Sequence, residues 1–590
     1  MNFRASVIVI FLMFQFSFLM SSAQKHTENL KYLLQEKKEW NAIDFIHNEN
    51  GKIPLLALED AQIASVNLGF TNNAIFDSLA SKYADLTRLP KVYNQNQQDL
   101  NLLNDDLKLF NVIILKTSEG ITKQLTQFIS ELEKQKQVIV VHVGAGKGSF
   151  EINGFQSVCI QTIYDTPITA SLIPQLIFGG LAKGQQATRL HYTVPEFVGI
   201  NETDLDSIPI IIQQAILSKG TPGAVIAVIK DGNMIYNKAF GSPTYDRLRK
   251  TDIDDIFDMA SVTKLAATTM MSMKLYDEGK LSVDSLVTKY IARTRQMPEK
   301  RTLKVKEVLL HQAGFYPYIK FYEQLKAGDT DTIFSAKYPT QLADNYYLKA
   351  NYYQDVMWPE MLSDKLLTRG KYVYSDLSMY YMKEIVEKVS GKTLDQFTLD
   401  NFYKPLGMKT AGFLPRKRFL KEQIIPTTEN DGWLRKMRVQ GFVNDPGAAM
   451  LGGVSGHAGF FASANDMAIL GQMWLNNGSY GGEKYIKAET MSYFTSNQST
   501  VSRRGLGFDR KDPDSGKAYP SKLASNEVFG HTGYTGTAIW IDPKYNLVYV
   551  FLSNRVYPDD KNKSLNTLNI RGRIQDVIYR AILKAEKTKN

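Results

Sequence analysis

Four short runs, Ile63-Ala64-Ser65-Val66-Asn67-Leu68, Asn111-Val112-Ile113-Ile114-Leu115, Val138-Ile139-Val140-Val141-His142 and Val158-Cys159-Ile160-Gln161, restrict the first third of this chain more than any other feature. A strand that alternates polar and apolar residues hides one face. A run that is apolar at nearly every position must be hidden on both, and parallel strands with helical crossovers achieve that. Helical patterns over residues 74–83, 121–136 and 168–178 fall between or after these runs. Residues 24–195 are therefore expected to form a doubly wound α/β domain. The segment Gly144-Ala145-Gly146-Lys147-Gly148 follows a strand, but its spacing fits neither a dinucleotide fingerprint nor a P-loop, so it reads as a turn with no cofactor attached.

Beyond Tyr192-Thr193-Val194-Pro195 the pattern changes. A helix over 206–218 precedes two β runs, 224–229 and 234–240, joined by Lys230-Asp231-Gly232-Asn233, and Asp-Gly between β runs is a strong hairpin signal. Further antiparallel strands are expected near 505–508, 535–541 and 547–553, closed by a helix over 570–584. Residues 205–590 thus read as an α+β sandwich, an antiparallel sheet flanked by helices, with a mainly helical subdomain inserted. A chain of 590 residues has ample length for two such cores.

Residues 1–23 carry Arg4, an apolar run over 7–20 and then Ser21-Ser22-Ala23, the pattern of a cleaved export signal too short for a membrane span. The single cysteine, Cys159, allows no internal disulfide and lies far from the cut, so no lipidated cysteine follows it. The expectation is a periplasmic or secreted protein without stable membrane insertion after signal removal. The net charge of +10 is dispersed, with no Lys/Arg block interleaved with aromatics, which excludes nucleic acid as a partner. A solvated basic face, or attraction to an anionic wall polymer, accounts for the excess.

The chemistry centres on Ser261-Val262-Thr263-Lys264, leading into an apolar helical pattern in which Met270, Met271, Leu275 and Leu281 are spaced for burial and Gly279 is placed as a stop. Residues three apart on a helix share a face, so the Lys264 amine reaches the Ser261 hydroxyl. A serine hydroxyl attacks a carbonyl only with a neighbouring base to take its proton, and a helix start supplies N–H groups for the developing oxyanion. None of the seven histidines forms an H-E-x-x-H pair, and no metal is expected.

Two further motifs follow in order, Tyr374-Ser375-Asp376 and His531-Thr532-Gly533, with supporting stretches at residues 308–315 and 445–463. The set resembles the serine β-lactamase and penicillin-binding-protein superfamily, in its class C and esterase branch. The resemblance implies that Ser261 is acylated, that Lys264 and Tyr374 share its proton, and that the N–H groups of Ser261 and Tyr534 form the oxyanion hole. Asp376, His531, Thr532, Gly533 and Tyr534 would face substrate. A phenol with a pKa near 10 serves as a base at neutral pH only beside positive charge, which Lys264 supplies. Two positions depart from the class C pattern. Asp376 stands where Asn is usual, and a carboxylate there would keep Lys264 protonated and move the base role toward Tyr374. His531 stands where Lys is usual, so recognition of a substrate carboxylate should be weaker and should follow a pKa of roughly 6 to 7. His457, in a glycine-rich turn, either borders the pocket or shapes the turn. The aromatic-rich insertion over 315–358 either stacks on sugar rings or packs a small subdomain.

Residues 24–195 resemble the C-terminal α/β domain of family 3 glycoside hydrolases, on Lys52-Ile53-Pro54-Leu55 and on residues 166–180 closing with Gln175-Leu176-Ile177-Phe178-Gly179-Gly180. The catalytic carboxylate of that family belongs to a preceding barrel, so no glycosidase activity is expected here. The two resemblances together imply a muropeptide or other small-molecule substrate, cleaved as an N-acetylmuramoyl-L-alanine amide or at a D-Ala bond. A β-lactamase-family esterase and a non-catalytic penicillin- or wall-binding module are the alternatives.

Overall fold

A computed structural model describes residues 24–48, 51–144 and 154–589. The export segment, residues 1–23, and most of the glycine-rich run after Gly144 lie outside the described residues. The chain divides into two compact units, one of Met1–Thr203 with Lys404–Lys409 and Gly481–Glu483, the other of Asp204–Tyr403, Thr410–Tyr480 and Lys484–Asn590.

The first unit is built on strands β1 (Asp44–His47), β2 (Ile63–Asn67), β3 (Leu86–Val92), β4 (Val112–Thr117), β5 (Gln137–Val143) and β6 (Val158–Thr162). They lie in the order β1-β6-β5-β4-β2-β3, parallel except for β1. Successive residues of β4 and β5 face opposite ways. Ile114, Ile139 and Val141 join helices α1 (Asn73–Ala80) and α4 (Pro167–Phe178) in one core, and Ile113, Leu115 and Val140 join α2 (Gln97–Asp106) and α3 (Lys123–Leu132) in the other. Near-continuous apolar strands are needed because both sides are covered. Strand β3 escaped the sequence reading because Arg88, Pro90 and Lys91 suit an exposed edge rather than a buried run. Between the layers Lys116, fully buried, pairs with Asp77 at 2.5 Å, and both contact the Ser65 hydroxyl.

In the second unit, strands β7 (Gly223–Lys230), β8 (Asn233–Gly241), β9 (Asp509–Arg510), β10 (Phe529–Thr532), β11 (Ala538–Asp542) and β12 (Leu547–Ser553) run in the order β9-β10-β11-β12-β7-β8, all antiparallel. Asp231 and Gly232 both have positive φ, 53° and 77°, the twist a two-residue hairpin needs. Helices α5 (Ser207–Leu217) and α7 (Ile570–Lys589) pack on each other, and Tyr549 of β12 points to this side, its hydroxyl donating to Arg571 O. On the other face lies α6 (Ala464–Leu475), buried along almost its whole length. Gly471 permits the close approach, since a Cβ there would stand 2.5 Å from Val548 Cγ1.

The insertion departs from the helical subdomain expected. It carries a three-stranded antiparallel sheet, Thr330–Asp331, Thr340–Ala343 and Tyr346–Leu348, beside a short helix, Trp358–Ser363. Asn345, at φ 51°, makes the turn between two strands rich in threonine and tyrosine, residues that favour a pleated surface. Phe315, Phe321, Tyr352 and Trp358 are buried there, so these aromatics pack the fold. The strand expected over 505–508 begins instead at Asp509.

Candidate active site

Ser261 is part-exposed in a single 3₁₀ turn, Ala260–Val262, that follows the two-residue strand Phe257–Asp258. The helical stretch beyond it is wound wide over Lys264–Thr269 before becoming α-helical at Met270–Asp277. The nucleophile therefore precedes the regular helix rather than opening it. Ala260 is held at φ 46°, a strained backbone of the kind found at reactive turns. The buried Asp258 carboxylate fixes the turn, accepting from the N–H of Ala260 at 2.8 Å and of Asn444 at 2.6 Å. Burial pushes its pKa up to about 6, against these two hydrogen bonds.

Lys264 is fully buried, and its ammonium is hydrogen-bonded to Ser261 and His457 and ion-paired with Asp376. Nζ lies 2.8 Å from Ser261 Oγ, 2.7 Å from Asp376 Oδ1 and 3.3 Å from His457 O. It also sits 4.9 Å from the centre of the Tyr374 ring. Burial alone would push its pKa down, but the Asp376 carboxylate and Tyr374 outweigh it, and the amine is held above its ordinary value. Burial raises the Tyr374 phenol, with Lys264 opposing, so at neutral pH both groups keep their protons.

Motif three meets this turn through a close backbone approach. A Cβ on Gly533 would stand 2.5 Å from Met259 O, and the hydroxyls of Thr535 and Thr537 donate to Asp258 O at 2.7 Å and Met259 O at 3.0 Å. Thr532 is part-exposed at the end of β10, and Tyr534 is exposed. His531 does not carry the charge expected of it. Burial, then the cations of Arg504 and Lys264, push its pKa down to about 3, so the ring is neutral across the physiological range. Its Nδ1 donates to Thr532 O at 2.7 Å, leaving Nε2 as a buried lone pair without a partner.

Arg504, which the sequence reading passed over, is the buried cation of this corner. Its guanidinium lies 5.4 Å from the Tyr374 ring and 5.5 Å from the Tyr372 ring, donates to the Tyr372 hydroxyl at 3.0 Å and pairs with Asp509 at 3.6 Å. His311, within the supporting stretch 308–315 but given no role there, lies beside Tyr374 with ring centres 4.7 Å apart, and its Nδ1 accepts from Ser375 N–H at 3.3 Å. Burial, then Arg504 and Lys264, keep it neutral.

His457 is buried, shaping the turn whose carbonyl holds Lys264. Its ring lies between Ser455 Oγ at 2.9 Å and Asp445 Oδ1 at 2.8 Å. Burial works to raise the Asp445 carboxyl, but His457 holds it down at about 2. Asp376, Asp445 and His457 offer ligand atoms within 4.8 Å of one another. That donor set is already matched, Asp376 by the Lys264 ammonium and Asp445 by the His457 ring.

A family model described as Beta-lactamase matches residues 208–572. The chain is 34% identical over 362 residues to the "N-acetylmuramyl-L-alanine amidase" of Bacillus subtilis, covering 58% of this chain and 78% of that protein. It is 32% identical over 388 residues to the "Putative D-alanyl-D-alanine carboxypeptidase" of Escherichia coli O157:H7, covering 61% and 84%. Among solved structures, a class C β-lactamase from Rhodobacter sphaeroides aligns over 64% of this chain and 99% of its own, at 16% identity and a TM-score of 0.47.

Proposed function

The chain belongs to the β-lactamase family and is a serine hydrolase of that family, and from this premise we propose that it is an exported N-acetylmuramoyl-L-alanine amidase acting through an acyl-enzyme on Ser261. The observation that carries the reading is the Lys264 ammonium set between Ser261 Oγ at 2.8 Å and Asp376 at 2.7 Å. As Oγ bonds to the lactyl carbonyl carbon, its proton moves to Nζ while an ammonium proton passes to Asp376. The oxyanion forms against the N–H groups of Ser261 and Tyr534. The C–N bond then breaks, the departing L-Ala nitrogen takes the Tyr374 hydroxyl proton, and Asp376 restores it through Lys264. Water cleaves the serine ester by the same groups in reverse.

The neutral His531 favours an amidase over a D-Ala carboxypeptidase. A carboxypeptidase substrate ends in a carboxylate beside the scissile bond and calls for a fixed cation at motif three. The muramoyl amide has no such terminus. The name of the Bacillus subtilis relative supports the same choice. Residues 24–195 are assigned no catalytic part, and their Ser65, Asp77 and Lys116 cluster is closed from solvent.

The test is incubation with a purified disaccharide tetrapeptide followed by mass spectrometry. Free tetrapeptide with an N-terminal L-Ala is expected. Release of D-Ala alone, or hydrolysis of acyl esters with the muropeptide left intact, overturns the assignment.

A further inference from the structure

Trp433 and Tyr534 are 45% and 43% exposed, with ring centres 6.5 Å apart. Trp433 is held in that position by a buried support. Asp431 accepts from the N–H groups of Trp433 at 3.0 Å and Arg435 at 3.1 Å, and pairs with the Arg435 guanidinium at 2.6 Å. Arg435, its side chain wholly buried, donates onward to Val443 O at 2.6 Å and Asn444 O at 2.7 Å. Asn444 N–H in turn binds Asp258, which fixes the turn before Ser261. A run of mostly buried hydrogen bonds thus ties the Trp433 backbone to the turn that carries the nucleophile. Burying an ion pair is costly and does not by itself stabilise a fold, so this support is better accounted for by positioning.

Beside the indole opens a cavity of about 330 Å³, lined by Glu429, Asn430, Asn444, Asp559 and Asp560. Much of its negative charge is matched: Arg438 lies 3.7 Å from Glu429, Lys561 3.8 Å from Asp559 and Lys563 3.6 Å from Asp560. Glu429 also accepts from the Tyr557 hydroxyl at 2.6 Å and Asp560 from the Tyr534 hydroxyl. Such a site suits a neutral ring with many hydroxyls better than a cation. An aromatic face packs against pyranose C–H bonds, while carboxylates and amides bond the hydroxyl and acetamido groups.

We propose that this cavity is a sugar subsite that seats the N-acetylhexosamine ring on the acyl side of the scissile bond, with Trp433 as its platform. The inference rests on the amidase reading, in which the carbonyl oxygen lies at the Tyr534 N–H and the rest of the acyl group continues past the Tyr534 ring.

The experiment uses the full chain. In Ser261→Ala, N-acetylmuramic acid is expected to give a saturable change in tryptophan fluorescence, lost when Trp433→Leu is added. In otherwise wild-type enzyme, Trp433→Leu should lower kcat/KM for N-acetylmuramoyl-dipeptide at least about tenfold relative to p-nitrophenyl acetate, mostly through KM, the size of one good aromatic contact. Asn430→Ala, on the exposed lip, gives the same comparison if the Trp433 variant fails to fold. An unchanged ratio in the presence of muramoyl-amide cleavage overturns the subsite and leaves the amidase reading standing. Sugar binding that depends on Trp433 in an enzyme that cleaves no muramoyl amide overturns the amidase reading and upholds the subsite.

Discussion

Replacing Asp376 with Asn keeps the shape of the site and removes the anion beside Lys264. At an effective dielectric near 20, unit charges at the observed 2.7 Å attract by roughly 6 kcal/mol. Asp376 is a quarter exposed and partly screened, so removing it should cost about 3–5 kcal/mol as long as Lys264 stays charged, the usual penalty for orphaning a buried ion. The folded protein limits that cost by releasing the proton, and this gives the effect a pH signature. In the native chain the amine is held above its ordinary value, so its contribution is fully present below the unfolded lysine pKa and fades as pH rises through the folded one. In Asp376→Asn only Tyr374 is left to oppose burial, the pKa of the folded amine falls relative to the native chain, and the stability drawn from its charge at low pH is lost. The gap between the two proteins, measured by thermal unfolding from pH 6 to 10, should be widest at pH 6 and narrow toward pH 10. Turnover of an aryl ester should follow, most impaired at low pH and recovering as Lys264 becomes a free base. A gap that is constant with pH, or below about 1 kcal/mol throughout, would refute the reasoning.

Three other perturbations test separate parts of the structure. Arg504→Gln removes the cation that lowers His531 most after burial, so the His531 pKa should rise from about 3 toward the ordinary histidine value, read by ¹⁵N NMR of the ring; an unmoved resonance would discount Arg504. Gly533→Ala forces a Cβ to within 2.1 Å of Thr537 Oγ1 and 2.5 Å of Met259 O, and kcat should fall at least about tenfold with a stability loss of about 1–3 kcal/mol; native turnover would contradict the close approach. In the first unit, Asp77→Ala leaves Lys116, which burial already lowers to about 8 against the pull of Asp77, without its partner, and urea unfolding of that unit should show a loss of about 3–5 kcal/mol.

The reach from Ser261 to Lys264 was legible because it depends only on local helical geometry. The buried strands of the first unit were legible because apolar runs such as Val138-Ile139-Val140-Val141 admit few other placements. Asp376 was legible as the partner that would keep Lys264 charged. The state of His531 was not, because it is set by burial and by Arg504 and Lys264, which reach it only through the fold. Nothing local marks Arg504 as different from its neighbour Arg503, which is spent on Asp509 and Asp512. The turn at Asp431 to Arg435 gave no signal either, since its meaning lies in the contacts of Arg435 with Val443 and Asn444. Strand β3 and the small sheet of the insertion were missed because exposed edges and short threonine-tyrosine strands lack a burial period.

The most direct test of the central claim is intact-mass spectrometry of the full chain quenched during turnover of N-acetylmuramoyl-L-Ala-D-isoglutamine. A mass increase equal to the N-acetylmuramoyl group, mapped to the peptide containing Ser261 and absent from Ser261→Ala, is the predicted result. Release of dipeptide at the native rate by Ser261→Ala, or an adduct on any other residue, would contradict it.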